Sequence, residues 1–255
     1  MSELRHGLDS SLSFKLKDGM VWVGAQVNDQ QLNGILDSDS DETFLDTQTA
    51  QRLALKHNDQ SGSVDPVSFG LGTSTLVASR AKILPIGNHF PGMDFILGFD
   101  ALGKTPFTVD YSKSVIQLGT VPQGREVTFQ SGRDVPSAKV TFSKLNVNAV
   151  IDTGAPAGLD LPFAWVKTKL PSVRFQQAVD RKDLGPRYEA LPFMLGEVLI
   201  GGVKLSSIKA EAIRLKTYPL ENRGDNWATI GNHILTRFAQ IGIDGPNRKC
   251  VFVSQ

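Results

Sequence analysis

Apolar and polar residues alternate or cluster over residues 12–17, 20–27 and 32–36, and the pairs Asp18-Gly19 and Asn28-Asp29 separate the three runs. A side-chain period of two, bounded by turn-forming pairs, predicts a meander of antiparallel strands. Further short strands are predicted at 64–69, 75–84, 106–110 and 114–118. Thr47 to Leu55 instead carries Ala50, Leu53 and Ala54 at helical spacing behind Asp46 or Thr47 as the cap, and Phe163 to Leu170 predicts a matching short helix. Many short strands with few helices predict an all-β barrel or sandwich. The turn-rich Val121-Pro122-Gln123-Gly124 predicts a link between one unit over 1–122 and a second over 123–255.

The two units repeat one another. Asn33-Gly34-Ile35-Leu36-Asp37 aligns with Asn148-Ala149-Val150-Ile151-Asp152 at an offset of 115. At that offset Val27 meets Phe142, Ala25 meets Val140, Phe14 meets Phe129 and Leu12 meets Val127, with no gap. A second block, Ile96-Leu97-Gly98-Phe99-Asp100-Ala101-Leu102, resembles Thr229-Ile230-Gly231-Asn232-His233-Ile234-Leu235. Each second block leads to a β-like run closing on an acid, Thr108-Val109-Asp110 and Gly242-Ile243-Asp244. The offset there is 133 or 134, so the second half carries about 18 more residues between its blocks. Two ordered blocks predict two pseudo-symmetric lobes with a central cleft.

An apolar strand running into Asp152-Thr153-Gly154-Ala155, and a first-half counterpart Asp37-Ser38-Asp39-Ser40 followed by Thr43-Phe44-Leu45, resemble the active-site loops of retropepsin-like and pepsin-like aspartic proteases, the bacterial type among them. The Ile-Leu-Gly block is the family's other landmark, and the resemblance covers roughly 12–118 and 125–253. It implies that Asp37 and Asp152 form a catalytic pair in one chain. Two carboxylates about 3 Å apart cannot both ionise and so share one proton; one acts as general base on a bound water while the shared proton reaches the carbonyl oxygen. Ser38 and Thr153 would supply hydroxyls to a grip beneath the pair, and Gly154 would allow close approach. The chemistry needs no cofactor, and the implied ligand is a polypeptide in extended conformation. A monomer is the favoured state; a homodimer pairing two Asp152 residues is the alternative.

Asp39 departs from the family, which has glycine there. It adds a third carboxylate, with Asp41 and Glu42 just beyond, and like charges in one site raise pKa values and titrate as a unit. Two functions stay open on this ground: an aspartic endopeptidase, or a pseudoprotease whose cleft binds peptide or a protein partner without cutting it. A flap is expected as a hairpin between the two blocks, with Gly70 and Gly72 as first-half candidates and Gly196-Glu197 or Gly201-Gly202 in the second half.

Other chemistries fit less well. Asp37-x-Asp39-x-Asp41 has calcium-loop spacing, but Glu42 and Gln48 stand where an EF-hand needs Gly and Glu, leaving a looser cation site at Asp39, Asp41 and Glu42 or a plain acidic turn. His6, His57, His89 and His233 form no zinc spacing, and there is no nucleophile elbow or P-loop. Lys plus Arg is 27 against 26 acids, which gives no electrostatic case for nucleic acid or an anionic membrane. No apolar run approaches the roughly 18 residues that span a bilayer. The single Cys250 excludes an intrachain disulfide and reads as a buried thiol. With no apolar stretch in MSELRHGLDSS, the expected compartment is the cytoplasm, or the periplasm or exterior if a leader has been removed.

Overall fold

The computed structural model describes residues 11–58, 63–130, 132, 134–181, 184, 187–216 and 227–255. It is an all-β fold of two lobes, with α-helices of only four to seven residues and one three-residue 3-10 turn, Ile86–Asn88, among the described residues. The first lobe begins with the meander Ser11–Lys17, Met20–Val27 and Gln30–Leu36, paired antiparallel. Its turns are two-residue turns at positive φ, Asp18 (52°) with Gly19 (76°) and Asn28 (46°) with Asp29 (62°). Such turns match the right-handed twist of the flanking strands, and Asp, Asn and Gly tolerate them best. In the second lobe Ser143 and Lys144 make the corresponding turn between Ser137–Phe142 and Leu145–Ile151.

After each meander the chain leaves the sheet and returns in the same order. Gln30–Leu36 pairs parallel with Phe95–Leu97, which pairs antiparallel with Thr43–Asp46, and that strand pairs parallel with Ala81–Leu84. In the second lobe Leu145–Ile151, Ala228–Ile230, Leu159–Pro162 and Val203–Leu215 repeat the sequence of pairings. Gly34 faces Phe95 and Ala149 faces Ala228, so strand register reproduces the offsets of 115 and 133. Glycine is required where the returning strand crosses the loop it has enclosed. A Cβ on Gly98 would overlap the Glu42 carbonyl oxygen, and one on Gly231 would come within 2.5 Å of that of Ala157.

The lobes share a six-stranded antiparallel sheet, ordered Arg125–Thr128, Lys249–Ser254, Phe238–Asp244, Phe107–Asp110, Val115–Leu118, Ser11–Lys17. At its centre Val109 faces Ile241 and Phe107 faces Ile243 across the junction. All four are fully buried, and a single apolar core runs through both halves. The predicted helices form as Thr47–Arg52, capped by the Asp46 carboxylate accepting from Gln48 N at 2.9 Å, and Phe163–Lys169.

Each lobe also carries a long hairpin. Tyr188–Ile200 pairs with Val203–Leu215 along its whole length around Gly201-Gly202. Its first-lobe counterpart runs through Ser63–Val64 and Val67–Leu71, turns at Gly72-Thr73, and returns as Ser74–Ala78 and Ala81–Leu84 in one unbroken register. The predicted strand 75–84 is thus broken only at Ser79-Arg80. Replacing Gly98 or Gly231 by alanine is expected to destabilise the fold by about 3 kcal/mol, read as a lowered urea midpoint at unchanged slope; an unchanged midpoint would mean that the crossing is looser than described.

Candidate active site

The two crossings bring the loops Asp37–Ser40 and Asp152–Ala155 together. Asp37 N donates to Leu97 O and Asp152 N to Ile230 O, both at 3.0 Å. Phe99 N donates to Ser40 O at 2.6 Å and Asn232 N to Ala155 O at 2.9 Å. Each loop is therefore clamped by the second block of its own lobe, in the same way in both.

Ser38 and Thr153 then bond reciprocally across the lobes. Ser38 N donates to Thr153 Oγ1 at 3.2 Å, and Thr153 N donates to Ser38 Oγ at 3.1 Å. The Ser38 hydroxyl donates to Ile151 O at 2.5 Å and the Thr153 hydroxyl to Leu36 O at 2.6 Å. Both side chains are fully buried. A hydroxyl is the group for this position because it accepts from one loop while donating to the strand behind it. Losing either one would leave buried backbone groups unsatisfied.

Above this network the Asp37 and Asp152 carboxylates lie within hydrogen-bond reach of one another. Asp37 Oδ1 accepts from Asp39 N at 3.1 Å and Ser40 N at 3.0 Å; Asp152 Oδ1 accepts from Gly154 N at 2.8 Å. A Cβ on Gly154 would come within 2.7 Å of Asp37 Cγ, so the glycine is there for close approach. Its first-loop equivalent, Asp39, is not at positive φ, so the side chain costs no backbone strain. Burial, and next the charge of Asp39, push Asp37 up to about 6. Burial, then Asp37, then Asp39 raise Asp152 well above the usual carboxylate range. The site is built to hold a proton that ordinary aspartates would have released.

The structure adds residues that the sequence did not single out. Tyr111 donates from its hydroxyl to Asn232 Oδ1 at 2.7 Å, and Asn232 Nδ2 donates to Thr153 O at 2.8 Å and Ala155 O at 3.1 Å. A first-half tyrosine thus props the second loop; burial, and the charge of Asp152 after it, raise its pKa. Asn232 sits in the second block, but its partner Tyr111 is 121 residues away in sequence, and no local pattern links them. Asp160 is nearly buried and also acts on Asp152 through its charge.

Gly70 and Gly72 are not brought to this site. Gly70 pairs with Gln26, which lies opposite Gln31, six residues of extended strand from Asp37; at about 3.3 Å per residue that is about 20 Å. Gly72 (φ 59°) and the pair Gly201-Gly202 (φ 56° and 79°) form the distal turns of the two long hairpins. The glycines answer the dihedral demand of tight turns, and Gly201-Gly202 pack against Phe252 and Arg125 of the shared sheet. Gly196 lies mid-strand. Cys250 is buried in the shared sheet. Glu42 is ion-paired with Lys82 at the surface, and no group of three acidic, His or Cys side chains is placed to hold a metal among the described residues. His6 lies outside the described residues. No helix of the described residues is long and apolar enough to cross a membrane.

Raised carboxylate pKa values have a consequence for stability. A group with pKa higher in the folded than in the unfolded state stabilises fully below its unfolded value, about 4, and loses that contribution as pH rises through the folded value. For Asp37 the window runs from about 4 to about 6. Asp152→Asn is expected to melt several degrees above the native protein at pH 8 and close to it at pH 4, for a gain of about 1–3 kcal/mol. Equal shifts at both pH values would contradict the buried, proton-holding pair. Thr153→Val, which removes the hydroxyl that accepts from Ser38 N and donates to Leu36 O, is expected to cost about 2 kcal/mol at either pH.

No protein-family model matches the chain. It is 27% identical over 190 residues to the Arabidopsis thaliana protein named Protein DNA-DAMAGE INDUCIBLE 1, a match that takes in 67% of this chain and 43% of that protein's length. The chain is distantly related to that protein and aligns with less than half of it.

Proposed function

We propose that this chain is an aspartic-type endopeptidase of retropepsin-like kind, in which Asp37 and Asp152 hydrolyse a peptide bond held in the cleft between lobes 1–122 and 123–255. One observation carries this reading: two loops from the two halves, bonded reciprocally through Ser38 and Thr153, present two carboxylates within reach of each other and with raised proton affinity. The matching offsets of pairing in the two lobes support an origin by duplication of one lobe. Both loops belong to one chain, so the proposed site needs no second copy.

In the singly protonated pair, the ionised carboxylate takes a proton from a water held between the two, and the water oxygen adds to the peptide carbonyl carbon. The shared proton passes to the carbonyl oxygen. Collapse of the resulting diol breaks the C–N bond, with the amide nitrogen leaving protonated as the amine and one proton returned to the pair. Ser38, Thr153 and Gly154 position the carboxylates in this scheme; no metal or cofactor takes part.

Asp39 favours a second reading, a cleft that binds polypeptide without cutting it. Its charge raises both members of the pair and disfavours the singly ionised form that does the chemistry. Hydrolysis of casein between pH 3 and 8 separates the two. The endopeptidase reading predicts cleavage with its acidic limb near 6, where Asp37 loses its proton, and a loss of about a thousandfold or more in Asp37→Asn and in Asp152→Asn. Asp39→Gly is expected to stay active with its profile moved toward acid, since removing a like charge eases ionisation. Cleavage by Asp39→Gly alone would favour the binding reading, and cleavage that survives Asp152→Asn would overturn the assignment of the pair.

A further inference from the structure

The two lobes repeat one backbone, so strand register identifies which side chains occupy equivalent places beside the two aspartates. Side chains alternate along a strand, so Ile35 shares the face of Asp37, and Val150 that of Asp152. In the first lobe the row across the sheet through Ile35 reads Trp22, Ile35, Ile96, Phe44, Lys82. In the second lobe the row through Val150 reads Ser137, Val150, Thr229, Asp160, Glu211. Four of the five places change character: Trp22 against Ser137, Ile96 against Thr229, Phe44 against Asp160 and Lys82 against Glu211.

The surroundings deepen the contrast. The first-lobe row belongs to an apolar cluster separate from the main core: Met20, Trp22, Ile35, Ile86 and Met93 are buried, and Phe44, Phe90 and Ile96 are only partly covered. The second-lobe row carries a buried ion network instead. Arg181, 7% exposed, reaches Asp160 Oδ2 at 2.6 Å and Glu211 Oε2 at 3.1 Å, while Lys209 touches Glu211 Oε1 at 3.2 Å from the half-exposed rim. One guanidinium thus serves two buried carboxylates, close enough to the pair that the charge of Asp160 is felt at Asp152.

We propose that the cleft reads the two sides of a bound peptide differently: a bulky apolar side chain against the Phe44–Ile96 wall, and a polar or basic side chain against the Asp160–Arg181–Glu211 wall. This rests on the reading of the cleft as a polypeptide site. Partly covered Phe44 and Ile96 gain contact and lose water when an apolar side chain lies on them. The opposite wall disfavours two classes of side chain. An apolar one would strip solvent from an ion network without bonding to it, and an acidic one would meet the Asp152 and Asp39 carboxylates while Arg181 and Lys209 are already engaged by Asp160 and Glu211. A basic or neutral donor finds carboxylate oxygens there.

The test is a mixed library of random decapeptides incubated with the native protein, its cut sites read by mass spectrometry. In parallel, binding of fluorescent peptides is measured by polarisation to Asp152→Asn, which removes turnover. Bulky apolar residues are expected to be enriched about tenfold on one side of the cut only, with acidic residues depleted on the other, and the same asymmetry is expected in binding. Replacing the network together, Asp160→Leu with Arg181→Met and Glu211→Leu, should make the profile apolar on both sides, because apolar replacement of a whole buried ion network is tolerated where removal of one partner is not. Phe44→Ser tests the other wall should that triple variant not fold, and should flatten the apolar preference. Equal apolar enrichment on both sides of the cut would overturn this inference and leave the hydrolase reading intact. Asymmetric binding by Asp152→Asn, together with a native protein that cuts nothing, would overturn the hydrolase reading and leave this inference standing.

Discussion

The reciprocal bonding of Ser38 and Thr153 is the constraint around which the molecule is arranged. Two loops from distant parts of the chain give each other an amide and a hydroxyl, and each hydroxyl also serves the carbonyl of the strand entering the opposite loop. All these groups are buried, so none can exchange a partner for water at small cost. The loops can therefore hold only one relative position. The six-stranded sheet sets the distance between the lobes, the glycine crossings at Gly98 and Gly231 let each loop be clamped from behind, and Tyr111 with Asn232 props the second loop. With the backbones so fixed, two like-charged side chains are forced together, an arrangement that would otherwise separate.

The same rigidity explains the protonation of the site. Burial alone raises both aspartates, and Asp39 adds repulsion that a glycine would not. The fold accommodates this charge because the loop does not require glycine dihedrals at that position, whereas Gly154 is held to its identity by the closeness of Asp37. The pseudo-symmetry is thus strict in the backbone and relaxed in the side chains, and the contrast between the Phe44 wall and the Asp160 wall follows the same rule. At neutral pH the fold therefore forgoes the stability that protonation of these carboxylates supplies in acid.

Much of the fold was legible because its signals are local. Alternation, the pairs Asp18-Gly19 and Asn28-Asp29, and the constant offset of 115 each depend on a few neighbouring residues, and the strands form where they indicate. The loops around Asp37 and Asp152 were legible for the same reason. The distal turns were misread: a Gly pair looks the same whether it forms a mobile tip or supplies positive φ to a tight turn, and only the pairing of Gly70 with Gln26 places it far from the aspartates. Tyr111 with Asn232, and Asp160 with Arg181 and Glu211, come together across long sequence separations through parallel crossings, which leave no periodic trace in the chain.

The central claim is that the two loops make a single proton-sharing site. Carbon-13 NMR titration of the side-chain carboxyls of Asp37 and Asp152 in the native protein tests it most directly. The account predicts two linked ionisations, the first near 6 and the second higher, collapsing to a single step for Asp37 in Asp152→Asn. Two independent titrations near 4, the ordinary aspartate value, and unaltered by substitution of the partner, would contradict it.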